Sequence, residues 1–184
     1  MEKIWFTSDN HFCHKNVMNF CPETRQGFTD INLLNEAMIE KWNSTVNHTD
    51  TVYCLGDLSF GNAKVTLEII TRLNGQLNLV EGNHDHRWLN NETKKRFRDI
   101  RAYRRVKIQG KTVVLSHYPM REWDGMHHGS YHLYGHVHGN LPGIGRSMDV
   151  GVDARPQKDL GLWSWEEIDE LLKTKEILSH YKKL

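Results

Sequence analysis

Residues 77–85 have the sequence Leu-Asn-Leu-Val-Glu-Gly-Asn-His-Asp, in which a short apolar run ends in a cluster of polar side chains. The run at 77–80 has the length and composition of a buried strand, and the glycine marks the turn that ends it. This stretch therefore predicts a strand that delivers an amide, an imidazole and a carboxylate to the end of a sheet.

The same arrangement recurs after the predicted strands at residues 3–7, 51–55, 111–116 and 132–134. The polar residues that follow the five strands are Asp9, His11, Asp57, Asn83, His84, His117, His136 and His138. Ligands of layered α/β proteins bind outside the carboxyl ends of the strands, so we expect these side chains to converge. If the predicted strand continues, the alternation of His136 and His138 places both on one face.

Amphipathic stretches separate the early strands. A helix is predicted from about Asp30, and a second begins with Asn62 as its N-cap. Ser164 and Glu167 form a capping box before a last helix. The polar, basic stretch before residue 103 is also predicted to be helical, and a hairpin and a strand at 147–152 follow it. The pattern predicts a layered α/β fold with a mixed sheet.

The composition is that of an ordinary globular protein. The 184 residues are 38% apolar and 26% charged with a formal net charge of +1, so we expect one domain over residues 1–184 and no electrostatic preference for nucleic acid or membrane. No signal-peptide pattern and no apolar run of membrane-helix length occurs. Three cysteines without a CxxC pair fit reduced thiols, so we expect a cytoplasmic protein.

The polar set has the chemistry of a metal site. Imidazoles and carboxylates together suit Mn, Fe, Zn, Co or Ni better than Ca or Mg alone. Seven candidate ligands exceed the three of a catalytic zinc site and suit two cations about 3.5–4 Å apart that share one carboxylate. We therefore predict two divalent metal ions as cofactors, with Mn²⁺ favoured, in a site that promotes displacement at phosphorus.

Five motifs in order carry a family resemblance. They are Asp9-Asn10-His11, Gly56-Asp57, Gly82-Asn83-His84-Asp85, Ser116-His117 and Gly135-His136-Val137-His138. Each is weak alone, but together they resemble the motifs of calcineurin-like metallophosphoesterases, and the chain is similar to the small bacterial and phage-type members. The resemblance implies an α/β (α+β) fold, a four-layer β-sandwich with mixed sheets flanked by helices.

The resemblance also implies a role for each motif residue. The metal ligands would be Asp9, His11 and His138 for the first ion, Asn83, His117 and His136 for the second, and Asp57 for both. A metal-bridging hydroxide would attack phosphorus. His84 would stabilise the developing charge or protonate the leaving oxygen, and Asp85 would hold His84 in orientation.

Substrate contacts are less sharply defined by the sequence. His14 and Lys15, shortly after His11, and Arg146 in a predicted loop are candidate phosphate contacts, and Arg25 is either such a contact or a bystander. The basic residues of 94–107 are interpreted as a solvated face, with nucleotide or oligonucleotide binding as the alternative. Among the other histidines, His132 and His180 are interpreted as surface or loop residues.

Leu58-Ser59-Phe60-Gly61 follows Gly56-Asp57, where Ser/Thr protein phosphatases have Val-Asp-Arg-Gly, which disfavours a phosphoprotein substrate. We predict a dinuclear metal-dependent phosphoesterase that hydrolyses phosphodiesters, and monoesters as an open alternative, of a small nucleotide-like substrate. The rival hypothesis is a scaffold or binding protein of the same fold with weak or no catalysis. No membrane partner is expected, nucleic acid is not favoured, and a homo-oligomer is left open.

Overall fold

The computed structural model describes residues 2–25 and 27–179, so His180 and the two ends of the predicted domain lie outside the described residues. Strands within these ranges are β1 (Ile4–Thr7), β2 (Thr51–Cys54), β3 (Gln76–Val80), β4 (Phe97–Arg101), β5 (Tyr103–Ile108), β6 (Lys111–Ser116), β7 (Tyr131–Tyr134), β8 (Ser147–Asp149) and β9 (Trp163–Ser164). Helices within them are α1 (Val17–Phe20), α2 (Pro22–Arg25), α3 (Ile31–Thr45), α4 (Ala63–Arg72), α5 (Asn91–Lys94) and α6 (Trp165–Leu172).

Two mixed sheets form the centre of the fold. The first has the order β4-β3-β2-β1-β9, in which β1 to β4 are parallel and β9 pairs antiparallel with β1. The second has the order β5-β6-β7-β8, with an antiparallel β5–β6 hairpin and parallel pairs from β6 to β8. The predicted α/β fold with two mixed sheets flanked by helices is confirmed.

Side-chain caps begin the longer helices where the sequence predicts them. The side chain of Asp30 accepts a hydrogen bond from the backbone N–H of Asn32 at the start of α3. The side chain of Asn62 accepts one from the backbone N–H of Val65 at the start of α4. Ser164 and Glu167 form the predicted capping box before α6.

In the part of the chain that the structure describes, no helix has both the length and the apolar character required to cross a bilayer.

Apolar side chains fill two layers. One lies between the first sheet and the helices α3 and α4, and it contains Leu34, Trp42 and Ile70. The other lies between the two sheets and α6, and it contains Phe6 and Leu133. These layers hold the sheets face to face, so that the ends of their strands can meet.

The basic stretch before residue 103 differs from the prediction. Only Asn91–Lys94 is α-helical, and Phe97–Arg101 forms β4 beside β3. Phe97 and Ile100 pack against the first core layer, and this burial outweighs the helix propensity of the surrounding basic residues. Arg104 pairs with Asp99 at 2.8 Å, so part of the basic charge is satisfied within the protein.

The strand predicted at 147–152 also ends earlier, at Asp149.

Replacing Ser164 with alanine should lower the free energy of unfolding by about 1 kcal/mol, because the hydroxyl half of the α6 capping box is lost. Ser44→Ala is the matched control. Ser44 is exposed within α3, where alanine has the higher helix propensity, so its effect should stay within about 0.5 kcal/mol. Urea denaturation measures both, and equal losses would contradict the assignment of the cap.

Candidate metal centre

The predicted ligands meet where strands of both sheets end. They are Asp9 and His11 after β1, Asp57 after β2, Asn83 after β3, His117 after β6, and His136 and His138 after β7. Each of these strands has a parallel neighbour, so the carboxyl ends lie at a common edge. The convergence expected from the sequence is therefore present.

The first cluster consists of Asp9, His11 and His138, whose ligand atoms lie within 4.8 Å of one another. Nε2 of His11 is 3.7 Å from Oδ1 of Asp9, and Nε2 of His138 is 3.9 Å from the same oxygen. Burial disfavours the charged form of Asp9, but the neighbouring imidazoles outweigh it and hold the pKa of this carboxyl below its usual value.

The second cluster consists of Asp57, His117 and His136, again within 4.8 Å. The amide oxygen Oδ1 of Asn83 lies 3.0 Å from Nε2 of His117 and completes the predicted set. Oδ2 of Asp57 is 3.6 Å from Nε2 of His117 and 4.0 Å from Nε2 of His11. Asp57 therefore lies between the two clusters.

Several polar atoms of the first cluster are buried without a hydrogen-bond partner. They are Oδ1 of Asp9 and both ring nitrogens of His11. Leaving such a group unsatisfied costs roughly 1–3 kcal/mol, so an ion that coordinates Oδ1 of Asp9 and Nε2 of His11 would relieve part of the cost. Carboxylate oxygens with neutral imidazoles are donors for divalent transition-metal ions, and the residues fit such ions.

Left-handed backbone occurs at most of the ligands. Nine non-glycine residues within the described ranges have positive φ, and five of them are Asp9, His11, Asp57, His136 and His138. Such conformations are sparsely populated and concentrate at functional sites. The bends send His136 to the second cluster and His138 to the first, so the shared strand face predicted for this pair is wrong.

Gly56 and Gly82 let two ligand-bearing loops touch. Gly56 has φ +93°, and a Cβ there would lie 2.6 Å from the backbone of Gly82 and from Nδ1 of His117. A Cβ on Gly82 would collide with Oδ1 of Asp57. Glycine is required at both positions because the backbones lie in contact.

Asp85 does not orient the ring of His84 as predicted. Its fully buried carboxylate accepts four hydrogen bonds, and none of them comes from the ring of His84. The donors are the backbone N–H groups of Asp57, Leu58 and Gly82 and the indole N–H of Trp88. His84 immediately precedes the 3-10 turn at Asp85–Arg87, and no hydrogen bond joins its ring to Asp85 among the described residues. Burial raises the pKa of Asp85 to about 6 against the effect of these donors. Asp85 thus ties the Asp57 loop to the Gly82 loop.

His84 lies at the rim of both clusters, with Nε2 3.8 Å from Oδ2 of Asp57. Its ring packs on Phe60 at 4.4 Å between centroids, and Phe60 also contacts the ring of His14 at 4.0 Å. Burial and nearby positive charges lower the pKa of His14 to about 4, so its imidazole is neutral near pH 7. The structure thus brings His14 beside the centre, and Lys15 follows it as an exposed residue.

Two residues lie in surroundings that the sequence did not predict. Arg146 precedes β8 at the amino ends of the strands, away from the ligands, and donates to the carbonyls of Lys173 and Lys175. The structure therefore does not bring it to the predicted site. His132 is buried rather than at the surface, and its Nε2 accepts the N–H of Met120 at 3.0 Å.

A buried ion pair behind the first cluster was missed. Arg25 is fully buried and contacts Asp153 at 3.0 Å, so it is neither a phosphate contact nor a bystander. Burial disfavours the charge of Asp153, but His138 and Arg25 hold its pKa well below the usual range. Asp153 follows β8 in the same strand-then-acid pattern as the ligands, a signal that could have identified it.

Comparison with known proteins identifies the family of the motifs. The model of the calcineurin-like phosphoesterase superfamily domain matches residues 3–147. An uncharacterized protein of Methanocaldococcus jannaschii is 31% identical over 171 residues, which cover 88% of each chain. The Gene 66 protein of Mycobacterium phage L5 is 29% identical and covers 84% of this chain and 88% of its own. A protein of unknown function from Aquifex aeolicus has a similar crystal structure, with TM-score 0.71, 28% identity, and coverage of 93% of this chain and 100% of that one.

Gly56→Ala should lower the free energy of unfolding by roughly 2–4 kcal/mol and weaken metal binding. The methyl group would overpack the contact with Gly82, and alanine would also be strained in the left-handed conformation. Gly110→Ala is the matched control, since Gly110 also has positive φ (+83°) but a Cβ there meets nothing within 4 Å. Gly110→Ala should lower the free energy of unfolding by only about 1–2 kcal/mol, which is the cost of the left-handed strain, and should leave metal binding intact. Urea denaturation and metal content after dialysis test the pair, and indistinguishable variants would refute the close-contact argument.

Proposed function

Because the chain belongs to the calcineurin-like phosphoesterase superfamily, whose domain model matches residues 3–147, we propose that it is a dinuclear phosphodiesterase. Its proposed substrate is small and nucleotide-like, and monoesters are a further substrate class. The observation that carries the proposal is the position of Asp57, whose Oδ2 faces His11 of one cluster and His117 of the other. A carboxylate so placed can neutralise two cations at once.

The proposed ligands of one ion are Asp9, His11 and His138, those of the other are Asn83, His117 and His136, and Asp57 is shared. When bound, a pair of divalent ions, with Mn²⁺ favoured and Fe, Zn, Ni or Co as alternatives, stabilises charge at phosphorus and lowers the pKa of water. The chain orients the donors: Nδ1 of His117 donates to the carbonyl of Leu55 at 2.7 Å, which directs Nε2 toward the second cluster.

His84 is the proposed acid of the reaction. Its backbone N–H donates to Oδ1 of Asp57 at 2.9 Å, and its ring is 30% exposed, so it is held at the clusters yet open to substrate. A protonated ring in this place can stabilise charge on a nonbridging oxygen or give a proton to the leaving oxygen. Poor leaving groups gain most from that proton.

One cavity that reaches the centre at His138 has the size of a small-molecule site. A cavity of about 300 Å³ borders His138 and is lined by Phe20, Asn140 and Lys158 among others. This volume lies at the lower end of small-molecule sites. Phe20 at its rim is 71% exposed and offers a stacking surface for an aromatic group such as a nucleobase. His14 and Lys15 remain the proposed phosphate contacts on the side of His11.

Metal-stripped protein reloaded with Mn²⁺ should hydrolyse bis-p-nitrophenyl phosphate, and Asp57→Asn should reduce kcat by on the order of 10²-fold or more, since metal stabilisation is worth several kcal/mol. Asp99→Asn, which removes a carboxylate paired with Arg104 outside the site, is the control and should retain activity. Folded protein that binds Mn²⁺, Ni²⁺, Co²⁺ or Zn²⁺ without turnover would instead favour the monoesterase or scaffold hypothesis.

His84→Gln should slow hydrolysis of diesters with poor leaving groups, such as phenyl esters, by roughly 10²–10⁴-fold and p-nitrophenyl esters much less. The physical reason is that p-nitrophenolate leaves without a proton. His48→Gln, at an exposed position in the loop between α3 and β2, is the matched control. Steady-state kinetics over a series of leaving groups measures the effect, and an equal loss across the series would argue against proton donation.

A further inference from the structure

The two ring nitrogens of His138 face different partners. Nε2 lies in the first cluster, 3.9 Å from Oδ1 of Asp9, whereas Nδ1 lies 2.8 Å from Oδ2 of Asp153. A neutral imidazole carries one proton, and a hydrogen bond to a carboxylate holds that proton on Nδ1. The lone pair of Nε2 is then directed into the cluster.

Asp153 is itself held in place by Arg25. Nε and Nη2 of Arg25 donate to the two carboxylate oxygens at 3.0 and 3.1 Å, and the hydroxyl of Thr24 donates to Oδ1. The guanidinium also donates to the backbone carbonyls of Asp9 and Asn10, at 3.0 and 3.1 Å. One buried cation therefore fixes both the carboxylate behind His138 and the loop that carries Asp9.

The atoms around Nδ1 of His138 also include Sγ of Cys21 at 3.4 Å. Cys21, His138 and Asp153 place one donor each within 4.8 Å, an arrangement that could suggest a further cation site. Arg25 already engages both oxygens of Asp153 with its own positive charge, which opposes a second cation there. The carboxylate is thus committed to His138 and Arg25.

We propose that Asp153 and Arg25 are positioning residues that set the metal affinity of the first cluster by fixing the tautomer and orientation of His138. The proposal rests on the proposed function, since it presupposes that the first cluster binds a metal ion. In the second cluster, Nδ1 of His117 faces the neutral carbonyl of Leu55 instead of a carboxylate. Loss of Asp153 should therefore affect one ion and not the other.

Isothermal titration of metal-stripped protein with Mn²⁺ tests this asymmetry. We expect two binding events in the wild type, and in Asp153→Asn one of them weakened about 10–100-fold with the other unchanged. Asp159→Asn is the matched control, because Asp159 pairs with Lys41 and Arg155 and should leave both events unchanged. Wild-type protein that binds no Mn²⁺ would count against the proposed function, whereas unchanged affinities in Asp153→Asn would overturn the present inference.

An NMR measurement distinguishes the loss of the His138–Asp153 hydrogen bond from a general destabilisation of the fold. In ¹⁵N-histidine-labelled, Zn²⁺-loaded protein, the Nδ1–H proton of His138, identified by its loss in His138→Gln, should lie downfield and move upfield in Asp153→Asn. If the unpaired Arg25 prevents that variant from folding, the double variant Arg25→Met/Asp153→Asn removes both charges and should show the same selective weakening. Wild-type affinity in either folded variant, or an Nδ1–H signal that does not move, would overturn the proposal.

Discussion

The contact between backbones of the loops that follow the strands is the constraint on which the centre depends. Gly56 and Gly82 meet without side chains, and a Cβ on Gly135 would collide with the side chains of Ser8 and Asp9. The same approach lets the N–H of His136 donate to Oδ2 of Asp9 at 2.8 Å. Candidate ligands from both sheets therefore gather within a few ångströms.

The buried carboxylates around the centre are a second constraint on its structure. Each carboxylate behind the ligands has fixed donors: Asp85 receives backbone and indole N–H groups, and Asp153 receives a guanidinium, a hydroxyl and an imidazole. Among the buried atoms that lack partners are Oδ1 of Asp9 and Nε2 of His11, which face each other in the first cluster. The chain thus satisfies the supporting polar groups internally and leaves the ligand atoms to a cation.

The elements that the sequence predicted correctly, and the candidate ligands that the structure brings together, share a local signature. A strand such as Gln76–Val80 and the Gly-Asn-His-Asp motif after it are contiguous, and a side-chain cap such as Asn62 acts within three residues. The features it missed depend on distant pairing. Arg25 and Asp153 are 128 positions apart, and β4 exists because Phe97 and Ile100 pack against a core built by other segments. Asp85 was predicted as a partner of its neighbour, but two of its four donors come from a loop 27 and 28 positions earlier.

The left-handed bends at Asp9, His11, Asp57, His136 and His138 have a consequence for how the protein acquires its ions. Protein groups help to hold these bends, since the N–H of His136 donates to Oδ2 of Asp9 and the N–H of His84 donates to Oδ1 of Asp57, so the bends do not depend on coordination alone. Small zinc domains behave in the opposite way, because for them the binding of metal is also the folding of the chain. Because protein contacts hold the bends here, we expect the fold to persist when bound ions are removed or exchanged for others.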